Sequence, residues 1–196
     1  AECSKTPADS QAYNTRRNAS QESPCETAKM EIIFVTGKGG VGKSAVAAAL
    51  ALHKAQSVRK TLLVELGRES FCRNSLHLPE ADAQTTYHGV PWPGVPKLTL
   101  ALWSGPECLK EYALYLLKIE SLYRLFFENP VTRTLVQVAP ALPELSIMGK
   151  ATSGPRHVGP PLNYDTIVID AFATGHFMAL LRAPLGMAEA VDRKRV

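Results

Sequence analysis

Hydrophobic residues along this chain fall into short unbroken runs, separated by polar, proline-containing or glycine-rich stretches. Residues 30–36 (Met-Glu-Ile-Ile-Phe-Val-Thr), 61–66 (Thr-Leu-Leu-Val-Glu-Leu), 97–103 and 164–170 (Tyr-Asp-Thr-Ile-Val-Ile-Asp) are four such runs. Their brevity and their β-branched and aromatic content predict four strands buried on both faces. Residues 44–55 are rich in Ala and Leu, both strong helix formers, and predict a helix between the first two strands. After the third run, Leu109, Tyr112, Leu116, Ile119, Tyr123 and Phe126 recur at spacings of three and four, which predicts one apolar helix face ended by Pro130. Residues 131–138 and 142–149 are further helical candidates, and another helix starts at Gly175 and continues through Arg182. Residues 67–96, punctuated by Pro79, Pro91, Pro93 and Pro96, read as loop, as does the Gly/Pro-rich run 152–161. Alternation of apolar strands with helices implies an α/β fold, a mostly parallel sheet covered on both faces. In such sheets ligands bind at the carboxyl ends of the strands.

Composition narrows this picture at the edges. Residues 1–29 contain no Val, Ile, Leu, Met, Phe or Trp. Such a segment buries too little apolar surface to offset its ordering entropy, so it reads as a disordered extension ahead of a native start at Met30. It has no apolar stretch of the signal-peptide kind. The remaining chain is long enough for one domain, 30–191, with a basic tail at 192–196. A net charge of +4 gives no ground for a nucleic-acid partner. The most apolar stretch, 112–127, is interrupted by Lys118, Glu120 and Arg124 and is too short to span a bilayer, so no transmembrane segment is expected. Cys3, Cys25, Cys72 and Cys108 form no C-x-x-C pair, which argues against a zinc site and leaves a reduced, cytoplasmic setting as the expectation.

The chemistry lies between the first strand and the first helix. Gly37-Lys38-Gly39-Gly40-Val41-Gly42-Lys43-Ser44 contains a phosphate-binding loop of the form Gly-x-x-x-x-Gly-Lys-Ser, followed by Ala45. An anionic triphosphate needs many donors at close range, and glycines let backbone N–H groups supply them. Lys43 is expected to reach the β- and γ-phosphates of ATP, and the Ser44 hydroxyl to ligate Mg²⁺. The helix after the loop directs its free N–H groups and its dipole at the same phosphates. Asp170, at the end of the fourth predicted strand, takes the form of a Walker B acid that holds Mg²⁺ through a water opposite Ser44. Glu65, at the end of the second, is placed to orient a hydrolytic water. Each acid also has a plainer reading, as a strand-end carboxylate that caps a turn or meets solvent. His176, after Thr174-Gly175, reads either as a catalytic group or as a local hydrogen-bonding residue at a helix start.

Together these residues resemble the ArsA-type ATPases, which include arsenite-pump ATPases and ATPases that target tail-anchored membrane proteins. Gly37 to Ser44 is similar to the family's deviant Walker A loop, and Asp170-Ala171-Phe172-Ala173-Thr174-Gly175-His176 to its switch II segment. Leu180-Leu181-Arg182-Ala183-Pro184 is similar to the Leu-Leu-x-x-Pro that follows, and residues 110–129 resemble a bacterial ArsA-like subgroup. The resemblance implies a P-loop NTPase three-layer sandwich with a helical insertion, about 104–150, between the third strand and switch II. It implies an ATPase that works as a homodimer or beside a related subunit, with Lys38 reaching the phosphates of the other subunit. Nucleotide state would be coupled to an anion, a client membrane protein or a partner, with the insertion presenting the client surface. Two departures qualify the likeness. The family's second strand runs into Asp-Pro-Ala-His, whereas this chain has Glu65-Leu66-Gly67-Arg68. A carboxylate misplaced by ~1 Å can cost on the order of 10²-fold in rate. The family's later strands and base-contacting segment have no counterpart before Val196, so the chain reads as C-terminally truncated. Two other readings stay open: a nucleotide-binding scaffold with little hydrolysis, and a MinD/ParA-like positioning ATPase.

Overall fold

A computed structural model describes residues 30–57, 59–78, 81–117 and 142–192. In chain order the elements are β1 (Glu31–Gly37), α1 (Lys43–Gln56), β2 (Thr61–Leu66), α2 (Phe71–Leu76), α3 (Ala83–His88), β3 (Val90–Trp92) and β4 (Val95–Trp103). They continue with α4 (Gly105–Leu117), α5 (Leu142–Ala151), α6 (Ser153–Arg156), β5 (Thr166–Ala173) and α7 (Thr174–Asp192). The strands form a five-stranded sheet in the order β1-β5-β2-β4-β3. β1, β5, β2 and β4 run parallel, and the short β3 pairs antiparallel with β4. The expected mostly parallel α/β architecture is therefore present.

Alternation along the strands divides the core between the two faces of the sheet. Leu62, Val64, Ile167 and Ile169 point to one face, where Cys108 of α4, Ile147 and Ala151 of α5 and Leu180 of α7 cover them. Leu63, Val168, Leu98 and Leu100 point to the other, against Ala47, Ala48, Ala51 and Ala55 of α1. The buried alanines of α1 lie along one helical stripe, and their small side chains let the helix approach the sheet closely. The described part of the helical insertion, α4 and α5, thus forms part of a core layer. Gly149 of α5 is in close contact with the Tyr112 ring of α4, where an added Cβ would come within 3.0 Å of it. Ile119, Tyr123, Phe126, Pro130 and the helix expected at 131–138 lie outside the described residues. Among the described residues, no helix is long and apolar enough to cross a membrane.

The stretch 67–96 is not all loop. It contains α2, α3 and β3, and the 152–161 stretch contains α6. Helices of six or four residues span too few turns to show a hydrophobic period. The signals of α2 and α3 are their caps: Ser70 accepts a hydrogen bond from Arg73 N at 3.1 Å, and Asp82 from Thr85 N at 2.9 Å. The β3–β4 hairpin turns at Pro93-Gly94, where proline fixes φ and Gly94 takes φ 74°. A second glycine is fixed by tertiary packing. Gly89 has φ 116°, and a Cβ there would lie 2.5 Å from Thr99 Cγ2 on β4. Gly89→Ala is expected to destabilise the fold by about 2 kcal/mol, from backbone strain and overpacking. A lower urea midpoint at an unchanged slope would report it.

Candidate nucleotide-binding site

Parallel register brings the chemistry to one edge of the sheet. Val35 on β1 lies beside Asp170 on β5, and Asp170 lies beside Glu65 on β2. β5 does not stop at Asp170 but continues to Ala173, so the first residues of the switch-like segment are strand. The β1–β5 register slips between Val35 and Gly37, and Thr36 Oγ1 donates to the Phe172 carbonyl at 2.9 Å. That bond ties the base of the loop to the end of β5.

The loop leaves β1 at Gly37 and enters α1 at Gly42. Gly40 and Gly42 take φ 78° and 86°, a region that favours glycine. No side chain caps α1 and no acidic residue lies in its first turn. The first-turn N–H groups and the positive end of the dipole of this 14-residue helix therefore face the loop with no carboxylate of that turn to compete for them. The Lys43 stem folds back along the loop, since a Cβ at Gly37 would come within 3.7 Å of its Cγ and Cδ.

Lys43, Ser44, Glu65, Glu69, Phe71 and Asp170 meet around a cavity of about 250 Å³. Asp170 Oδ1 is buried and lacks a hydrogen-bond partner. A buried carboxylate oxygen without a donor is costly unless something else supplies positive charge or a proton. Beside a serine hydroxyl and a lysine, this is the donor set a Mg²⁺ ion or its water ligands would satisfy, so Ser44 and Asp170 fit the metal expected there.

Glu65 is arranged differently. It is 3% exposed. Its Oε2 accepts from the Ser70 hydroxyl, and its Oε1 accepts from Cys72 N at 2.9 Å. Both oxygens thus hold the first turn of α2. Burial, reinforced by the Glu65 carboxylate, raises the Cys72 thiol pKa well above its ordinary value. Burial likewise pushes the Cys108 thiol up to about 12, so neither cysteine is a thiolate near neutral pH. Among the described residues, no group of three or more His, Cys, Asp or Glu side chains could hold a metal ion. Cys3 and Cys25 lie outside those residues.

Other expected site residues sit around the cavity, not in its wall. Lys38, Gly39, Gly40, Val41 and Ala45 are exposed on the loop and the start of α1, with Val41 61% exposed. Thr174 and Gly175 are exposed at the start of α7, and His176 stacks on Phe172 with ring centroids 4.7 Å apart. Glu69, Ser70 and Phe71 are additions that sequence reasoning missed. Ser70 ahead of an apolar residue was an available N-cap signal. Glu69 also lines a larger neighbouring cleft of about 760 Å³, together with Arg68, Arg73 and Ser104.

The segment that builds the loop, α1 and β2 also carries the likeness to known proteins. Residues 30–67 match the model of the anion-transporting ATPase family. The match ends at Gly67, immediately after β2, and includes the whole phosphate loop. A Halobacterium salinarum protein named as an arsenical pump-driving ATPase is 28% identical over 162 residues, 78% of this chain and 23% of that protein. ATPase BagA of Mycobacterium tuberculosis is 49% identical over 51 residues, 26% of this chain and 15% of that protein. The chain therefore spans less than a quarter of the length of either relative in these matches. These matches are likenesses to the anion-transporting ATPase family and to proteins named as ATPases.

Proposed function

We propose that this chain binds Mg·ATP at the loop 37–44 and hydrolyses it as an ArsA-type ATPase. The observation that carries this reading is the meeting of Lys43, Ser44 and the unpartnered Asp170 Oδ1 at the carboxyl edge of a parallel sheet. Backbone N–H groups of the glycine loop and of α1 bind the phosphates, and Lys43 neutralises charge toward the γ-phosphate. Ser44 and Asp170 hold Mg²⁺, which when bound offsets charge developing between the β- and γ-phosphates. Lys38, exposed on the outer side of the loop, acts on the phosphates of a second copy or a related subunit. Closure of that pair is the step through which nucleotide state reaches an anion, a client protein or a partner.

The experiment pairs turnover with mass. Wild-type chain should hydrolyse ATP and move toward a dimer on light scattering when a non-hydrolysable analogue and Mg²⁺ are added. Lys38→Ala should lower turnover by about 10²-fold, as for loss of one preorganised transition-state charge, while nucleotide binding persists. Unchanged turnover in this variant would remove the cross-subunit role, and a chain that binds no nucleotide would remove the whole reading. A second reading, a nucleotide-binding scaffold with little hydrolysis, is favoured by one observation: both oxygens of Glu65 are already engaged by its own chain.

A further inference from the structure

We infer that Glu69 orients the attacking water, and that Glu65 is a positioning residue that holds the segment carrying it. This rests on the ATPase reading above. A water-orienting carboxylate needs a free lone pair next to the phosphates. Among the described residues, three carboxylates line the phosphate cavity: Glu65, Glu69 and Asp170. Each Glu65 oxygen keeps a second lone pair, but Ser70 and Cys72 fix the carboxylate against α2, and turning it toward a bound water would give up one of those donors. In a site only 3% exposed, each abandoned donor costs about 1–3 kcal/mol. Asp170 lies across the sheet register from Glu65, and its free oxygen suits the metal next to Ser44. Glu69 remains. It is exposed, makes no hydrogen bond or ion pair with another described residue, and sits at the mouth shared by the phosphate cavity and the larger cleft.

The segment presenting Glu69 is pinned at both ends. Gly67 N donates to the Trp103 carbonyl at 3.0 Å, and Gly67 takes φ 148°, which turns the chain out of β2. At the far end Ser70 gives its hydroxyl proton to Glu65 and accepts from Arg73 N at 3.1 Å. Glu65 therefore sets where Glu69 sits without touching the reacting atoms. In the reaction the water oxygen bonds to the γ-phosphorus as the bond from that phosphorus to the bridging oxygen of ADP breaks. The water proton passes to the Glu69 carboxylate and from there to the departing phosphate, so ATP and water give ADP and phosphate.

The test compares affinity for Mg·ADP with affinity for Mg·ADP plus aluminium fluoride, a γ-phosphate mimic that holds an in-line water, in the full chain. Wild type should prefer the fluoride complex. Glu69→Gln should abolish that preference with Mg·ADP affinity unchanged, and lower kcat by about 10²-fold. Glu65→Gln should lower the melting temperature and weaken the preference together with it, and Glu65→Asp should restore part of both. The inference is overturned if Glu69→Gln keeps both preference and turnover, or if Glu65→Gln loses the preference at an unchanged melting temperature. Failure of wild type to bind either nucleotide would instead overturn the ATPase reading itself, and the role of Glu69 with it.

Discussion

Lys43→Ala should erase the stabilisation that Mg·ATP gives to the folded chain. A ligand that binds only the native state stabilises it by about 2.7 kcal/mol when present at about 100 times its Kd. For a domain of this size, each kcal/mol shifts the melting temperature by about 2–4 °C. Wild type should therefore melt about 5–10 °C higher with saturating Mg·ATP than without it. Lys43 is the cation whose stem lies along Gly37 and whose side chain lines the phosphate cavity. Without it the described lining of the cavity holds no cationic side chain, and the phosphates meet backbone N–H groups and the Ser44 hydroxyl beside the acids Glu65, Glu69 and Asp170. The nucleotide-dependent shift should vanish, while the ligand-free melting temperature stays near wild type, because Lys43 makes no buried ion pair with another described residue. A scanning fluorescence melt at several ATP concentrations checks this. A shift that survives in Lys43→Ala would place the nucleotide elsewhere.

Lys150→Ala should be the most damaging of these substitutions to the fold itself. Lys150 is 3% exposed. Its Nζ lies 2.6 Å from Glu111 Oε2, 3.8 Å from the centre of the Tyr87 ring and 4.8 Å from that of Trp103. The Tyr87 hydroxyl donates to the same Glu111 oxygen at 2.7 Å, and Trp103 Nε1 donates to the Tyr87 carbonyl at 3.2 Å. One ammonium thus joins α5 to α4, α3 and β4. Such a pair adds little over an apolar replacement, because desolvation of both charges offsets their attraction. Removing one partner is another matter, since the remaining charge stays in a poorly solvated site. A loss of about 3 kcal/mol is expected, a fall of about 10 °C in melting temperature. Replacing both members, Lys150→Met with Glu111→Leu, should recover most of it. An unchanged melt in Lys150→Ala would mean that Glu111 is solvated well enough to stand alone.

These two substitutions fall on opposite sides of what the sequence makes legible. The phosphate loop, the strand before it and the helix after it are contiguous, so spacing and composition specify them locally. β2 falls on residues 61–66 as its apolar run predicts, and Asp170 comes to the same sheet edge as the loop. The Lys150–Glu111 pair is 39 residues apart in sequence. In the sequence Glu111 reads as a solvated position on a helix whose apolar face is sought elsewhere. Only when α4 and α5 pack side by side does the pair become one buried unit. The short helices α2 and α3 escape a periodicity search for a different reason. They are held by the caps Ser70 and Asp82 and by Cys72 and Tyr87, buried in the cores on opposite faces of the sheet, more than by any stripe of their own.

The sequence by itself determined the α/β alternation, the phosphate loop with its two lysines and the acid that faces it. Those features depend on the order and spacing of neighbouring residues, which a linear chain displays in full. The tertiary structure decided which carboxylates are free. Glu65, Glu69 and Asp170 are the same kind of group in the sequence. They differ because Ser70 and Cys72 fold back to take both oxygens of the first, the second is left exposed, and the third is buried with an oxygen unpaired. Hydrogen-bond partners and solvent access are properties of the packed chain, and on them rests the proposed division into an anchor, a water-orienting group and a metal ligand.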